Sequence, residues 1–104
     1  MEVKYGDKIG RIIRTWFETN GRENYWKLEK GRVTSIIINS KGKRAKTDYF
    51  RTLDAKEIEF NTNWMLETKN LILPGEYFVL TDELQERVTK WIEKENKKNE
   101  NKQV

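Results

Sequence analysis

The stretch GRVTSIIINSKGKRAKTDYFR, residues 31–51, decides how the chain folds. Its first half is β-branched, and Ile36-Ile37-Ile38 is apolar at every position. Such a run suits a central strand buried on both faces. Ser40-Lys41-Gly42 then turns the chain, and Lys43 to Arg51 returns as an antiparallel partner. A glycine inside so long a run, Gly31, predicts a bulge or sharp bend. Long, bent, hairpin-linked strands in a short chain favour a small barrel over a flat sheet.

Upstream, Val3 to Tyr5 reads as a short strand ending at Gly6-Asp7. Lys8 to Thr19 alternates in part, and Asn20-Gly21 is a hairpin signal because both residues tolerate positive φ. Tyr25 to Leu28 begins the next strand, which continues through Gly31 to Asn39. Downstream, Leu53 to Thr68 is the least legible segment. Asp54 resembles an N-cap with Glu57 at the third position, enough for one helical turn. Asn61-Thr62-Asn63 reads as loop, Asn70 to Leu73 as a short strand stopped by Pro74-Gly75, and Glu76 to Leu80 as another strand.

The last element is a helix. Thr81 is the N-cap, and Asp82 and Glu83 meet the positive end of the dipole. Leu84, Val88, Trp91 and Ile92 form one apolar stripe, and Glu86 stands four residues before Lys90. From Glu95 onward the chain is nearly all charged or Asn. We therefore expect one domain over residues 1–94 and a charged, disordered tail over residues 95–104. The expected class is α+β, mainly antiparallel β: a small SH3-like barrel with a C-terminal amphipathic helix.

Composition narrows the chemistry. The 104 residues include no cysteine and no histidine. That removes disulfides, thiolate nucleophiles, imidazole bases and the usual zinc sites. No apolar run approaches membrane-spanning length and no signal-peptide core is visible, so a soluble, cytoplasmic protein is expected. Asp48, Asp54, Glu57 and Glu59 are the acidic candidates, but their spacing matches no metal motif. We expect no enzyme, no cofactor and no metal.

Charge and aromatics supply the functional expectation. Seven Lys/Arg between Lys30 and Arg51 face Asp48 alone, a net +6. Eight of the twelve aromatic residues form adjacent pairs: Trp16–Phe17, Tyr25–Trp26, Tyr49–Phe50 and Tyr77–Phe78. Neighbours on a strand point to opposite faces, so one member of each pair needs a second layer, a partner or a ligand. Arg32, Lys41, Lys43, Arg44, Lys46 and Arg51 are the candidates for phosphate contact. Trp16, Tyr25 and Tyr49 are the candidates for stacking on a base. The bland alternatives are a solvated hairpin whose charges block edge-to-edge pairing, and rings buried in two packed layers. Arg11 and Arg14 lie on opposite strand faces; one is a candidate for an acidic partner, and Glu18, Glu29 and Glu57 are the alternative surface pairings. The apolar stripe of the final helix suits the core, or else a homodimer contact.

The strand Gly31 to Ile36, its Lys-Gly turn, and the Tyr-Phe-Val-Leu-Thr-Asp-Glu-Leu run from Tyr77 to Leu84 together resemble small SH3-like barrels of bacterial phages and prophages. The resemblance spans about Lys8 to Ile92 in order of elements. It implies a barrel with a helical appendix and an accessory role in binding host proteins, nucleic acid or signalling molecules. The expected function is non-catalytic recognition of an anionic partner, nucleic acid or a nucleotide. The alternative is an anti-defence inhibitor docking on a host immune or nucleic-acid-processing protein.

Overall fold

The computed structural model describes residues 1–16 and 24–102. Its elements are β1 (Lys8–Trp16), β2 (Asn24–Asn39), β3 (Gly42–Thr47), β4 (Leu53–Asp54), α1 (Ala55–Thr68), β5 (Tyr77–Val79) and α2 (Asp82–Lys102). The fold is α+β: the five strands pair antiparallel in the order β4-β3-β2-β1-β5, and the sheet curls into a half-barrel. The expected Asn20-Gly21 turn lies outside the described residues.

β2 is central in order, but its two neighbours take different lengths of it. β1 pairs with Asn24 to Arg32, and β3 pairs with Val33 to Asn39. The expectation that Ile36 to Ile38 is buried on both faces is therefore corrected. Past Arg32, β2 has lost β1 as a neighbour and forms the edge of the β4-β3-β2 layer, and Ile38 is 76% exposed. Gly31 does not bulge either; it pairs in register with Ile9. A Cβ there would stand 2.8 Å from the Phe50 ring, so glycine serves close packing. The bulge lies at Thr34, between Val33 and Ser35. It keeps Val33 and Ile36 on one face although they are three residues apart.

Each face of the sheet carries its own core. Ile9, Val33 and Ala45 cover the inner face with Phe50, Leu53, Ile58 and Val79. Ile12, Phe78, Leu80, Leu84 and Val88 pack on the outer face, flanked by Trp26, Leu28 and Trp91. Tyr77–Phe78 shows how an adjacent pair is used: Phe78 is buried in the outer cluster, and Tyr77 packs against the inner one. α1 crosses the β5 edge and contributes Ile58 to one core and Met65 to the other.

α1 corrects the reading of residues 53–68. Asp54 caps it, accepting from the backbone N–H groups of Lys56 and Glu57, and the helix runs for 14 residues. Asn61 and Thr62 sit inside it rather than in a loop, because both serve the bare edge of β5. The Asn61 amide donates to Tyr77 O at 2.9 Å, and Val79 N–H donates to Thr62 Oγ1 at 2.8 Å. Tertiary bonds thus override weak local propensity. Lys69 ends the helix in the left-handed region, at φ 63°.

Val3 to Tyr5 and Asn70 to Leu73 form no strands. Val3 is nevertheless buried, and its N–H donates to Glu59. β3 ends at Thr47, earlier than expected. Thr47 Oγ1 donates to Phe50 O and accepts from Phe50 N–H, a local turn that competes with the ladder. Thr81 caps α2 as expected, with Leu84 N–H donating to its hydroxyl. The helix continues past Glu95, where composition suggested a tail. Asn96 helps to hold it there: it accepts from Trp26 N–H at 2.8 Å and donates to Trp26 O at 3.0 Å.

Candidate anion-binding face

The register gathers four of the seven cations between Lys30 and Arg51, together with Lys8, on one side. Lys8 stands directly opposite Arg32, and Lys30 stands opposite Gly10. Across the bulge, Lys46 stands opposite Ser35 and Arg44 opposite Ile37. Directly opposed residues share a face, as do residues two apart on a strand. Lys8, Lys30, Arg32, Lys46 and Arg44 therefore all project from the outer face, on the part that α2 leaves uncovered.

Among the described residues, none of these five cations makes an ion pair. Their tethers are neutral carbonyls: Arg32 Nη1 donates to Gly6 O at 2.8 Å, and Arg44 Nη2 to Thr52 O at 3.2 Å. Two carboxylates lie beside these cations without pairing: Asp48, whose Oδ1 accepts from Arg32 backbone N–H, and Asp54, which stands opposite Arg44. Lys8, Lys30, Arg32, Asp48 and Tyr49 line an open basin of about 360 Å³ with Gly31. Like charges opposed across a ladder repel, so Lys8 against Arg32 is destabilising unless an anion joins them.

The other expected site residues scatter. Lys43 faces inward, where its Nζ bonds Glu59 Oε2 at 2.9 Å. Burial pushes the Glu59 carboxyl up, but Lys43, the Val3 N–H and the charge of Lys56 together hold it below its ordinary range. Lys41 is exposed in the turn, where its N–H donates to Asn39. Arg51 lies at a separate groove of about 740 Å³, shared with Arg44, Asp54, Glu57 and Glu76. There the Glu57 carboxyl faces that of Glu76. The interaction with Glu76, burial, and the charges of Glu76 and Asp54 raise the Glu57 pKa above its ordinary value. Asp54 is engaged as the α1 cap, while Asp48 and Glu59 lie elsewhere, so the four acidic candidates do not converge.

Of the three stacking candidates, Tyr49 comes nearest these cations: it borders their basin at the β2 edge, while its side chain turns to Glu29 and Phe50 on the inner side. It is 58% exposed, and its hydroxyl donates to Glu29 Oε2 at 2.9 Å. That bond pushes the phenol pKa up, keeping the proton in place. The ring stands edge-on to Phe50 at 5.0 Å. Arg11 bonds the same Glu29 and donates to Tyr77 OH at 2.9 Å, with its guanidinium 5.3 Å from the Phe50 and Tyr77 ring centres. Burial raises the Glu29 pKa, but the bonds from Arg11 and Tyr49 and the charges of Arg11 and Lys27 bring it below the ordinary value. Tyr25 is half-buried opposite Thr15, whose hydroxyl donates to Tyr25 O. Trp16 ends β1, and its side chain lies outside the described residues.

Lys8 and Lys30 are the residues that reading the hairpin alone misses. Lys30 belongs to the basic run, but Lys8 lies 24 positions before Arg32 and is joined to it only by the register. Among the described residues, no group of three acidic side chains is placed to hold a metal ion, and no helix is long and apolar enough to cross a membrane. In comparisons with known proteins, the chain matches no family model, no curated protein and no solved structure.

Proposed function

We propose that the protein is a non-catalytic binder of a phosphate-bearing partner, nucleic acid or a nucleotide, through the bare half of its outer face. One observation carries this reading: Lys8, Lys30, Arg32, Lys46 and Arg44 share that face without an ion-pair partner among the described residues. A solvated face would gain by alternating sign, as this chain does along α2 with Glu86–Lys90 and Glu83–Arg87. The SH3-like barrel reading is supported by the meander β1 to β4 with β5 returning to β1. It agrees with an accessory role of the phage type.

The test is binding of a labelled oligonucleotide at low and high salt by the wild type and by a triple variant, Lys30→Glu, Arg44→Glu and Lys46→Glu. Loss of binding in the variant, and steep weakening with salt in the wild type, are expected. Unchanged affinity in the variant sinks the reading.

A second reading, docking on a host protein as an anti-defence inhibitor, is favoured by large apolar side chains left exposed on separate elements. Ile38 on β2, Phe60 on α1 and Leu73 before β5 are the examples. It predicts indifference to the triple charge reversal, and loss of a defined host complex on Phe60→Asp or Ile38→Asp.

A further inference from the structure

Resting on the anion-binding reading, we infer that the partner is a single strand of nucleic acid. Its sugar-phosphate backbone would follow the cations across β1, β2 and β3, and one base would lie on Tyr49.

Two features of the face select a single strand. The first is the layout of charge. From Lys30 and Arg32, with Lys8 beside Arg32, the cations step along β2 to the levels of Ser35 and Ile37, where Lys46 and Arg44 stand on the neighbouring strand. They form one diagonal band that crosses β1, β2 and β3. A duplex presents two backbones separated by a groove, and its readers usually insert a helix or ribbon into that groove. One band of charge on an open sheet face matches one backbone.

The second feature is the ring beside the band. Tyr49 borders the basin with Lys30 and Arg32. Its hydroxyl is fixed on Glu29 and its edge on Phe50, so it is exposed yet held in place. A fixed ring loses little freedom when a base lands on it. Duplex bases are already stacked on each other, whereas unpaired bases have a free face, and rings beside a basic track take them without regard to sequence. Exposed Thr34 and half-buried Ser35 at the bulge add hydroxyls along the same track.

Fluorescence anisotropy on the full chain tests this, with a labelled mixed-sequence 12-mer as single-stranded DNA, as single-stranded RNA and as the DNA duplex, and a mononucleotide as competitor. The expected order puts either single strand above the duplex, with the mononucleotide competing weakly. Five phosphate contacts on a single strand predict that affinity falls roughly 100-fold between 50 and 200 mM salt. Tyr49→Ala should weaken single-strand binding about 5- to 150-fold, the range of one stacked base, while Tyr49→Phe retains most of it. Far-ultraviolet circular dichroism confirms that both variants are folded.

Two results overturn the inference while leaving the anion-binding reading intact. One is a duplex bound as tightly as the single strands. The other is Tyr49→Ala binding like wild type while the triple charge reversal still abolishes binding. No binding of any nucleic acid at 50 mM salt overturns the inference, and overturns the anion-binding reading as well if direct titration with the mononucleotide also shows none.

Discussion

The outer face of β2 has two halves that the same strand treats in opposite ways. Trp26 and Leu28 lie under α2, with Trp26 and Trp91 meeting edge to face at 5.1 Å. Lys30 and Arg32 continue that face, and α2 does not cover them. One half is stabilised by burial; the other is an assembly of like charges that works against folding. Under the proposed function, a partner supplies the counter-charge that the bare half lacks.

Substitutions can break this contrast. The largest effect belongs to the covered half: Phe78→Ala removes a fully buried ring and should destabilise by about 3–5 kcal/mol in chemical denaturation. Anion affinity, measured on the folded fraction, should not change. If affinity collapses together with stability, the two halves are not separate devices.

Next comes the contrast between an inward and an outward cation. Glu59→Gln strands the half-buried Lys43 charge and should cost about 3 kcal/mol, the low end for a broken buried pair. The pH dependence follows the same carboxylate. Its pKa is lowered on folding, so its stabilisation is present above the unfolded carboxylate pKa and fades as pH falls through the lowered folded value. Denaturation midpoints for the wild type should therefore drop on acidification, and those of Glu59→Gln should drop less. A midpoint loss as steep in the variant would assign the acid sensitivity elsewhere.

At the junction of the two halves, Gly31→Ala drives a methyl into the Phe50 ring and should cost about 1–3 kcal/mol. Because Phe50 supports Tyr49, the same variant should weaken single-strand binding. Retained stability would mean that the ring yields freely.

The smallest effect has the most telling sign. Lys8→Glu replaces a repelling cross-strand pair with an attracting one and should raise stability by about 0.2–1 kcal/mol. It should also reduce anion affinity at low salt. A variant that loses both stability and affinity would count against the face as a site held at the expense of folding.

Much of the fold was legible. Thr81, Asp82 and the stripe Leu84, Val88, Trp91 and Ile92 announced α2, and the Lys41-Gly42 turn announced the β2–β3 hairpin. α1 was not, because its apolar face is interrupted: Ala55, Ile58 and Met65 share a side with Thr62, whose hydroxyl serves Val79. A polar residue that replaces a strand partner is indistinguishable in sequence from one in a loop. Of the candidate site, Arg32, Arg44 and Lys46 were found from charge density. Lys43 was grouped with them by charge density, although alternation sets it on the other face from Arg44 and Lys46, on the side of buried Ala45. Lys8 required the pairing of two distant segments.

The side-chain bonds that α1 and α2 make to strand backbones bear on what happens when the protein opens. Asn61 and Thr62 occupy peptide groups of β5, and Asn96 occupies those of Trp26. Those groups would otherwise be free to template a strand from another molecule. The helices are thus guards against self-association as well as packing elements. A partly opened form that sheds either helix while keeping its sheet would expose an adhesive edge, so aggregation should set in before the sheet itself melts.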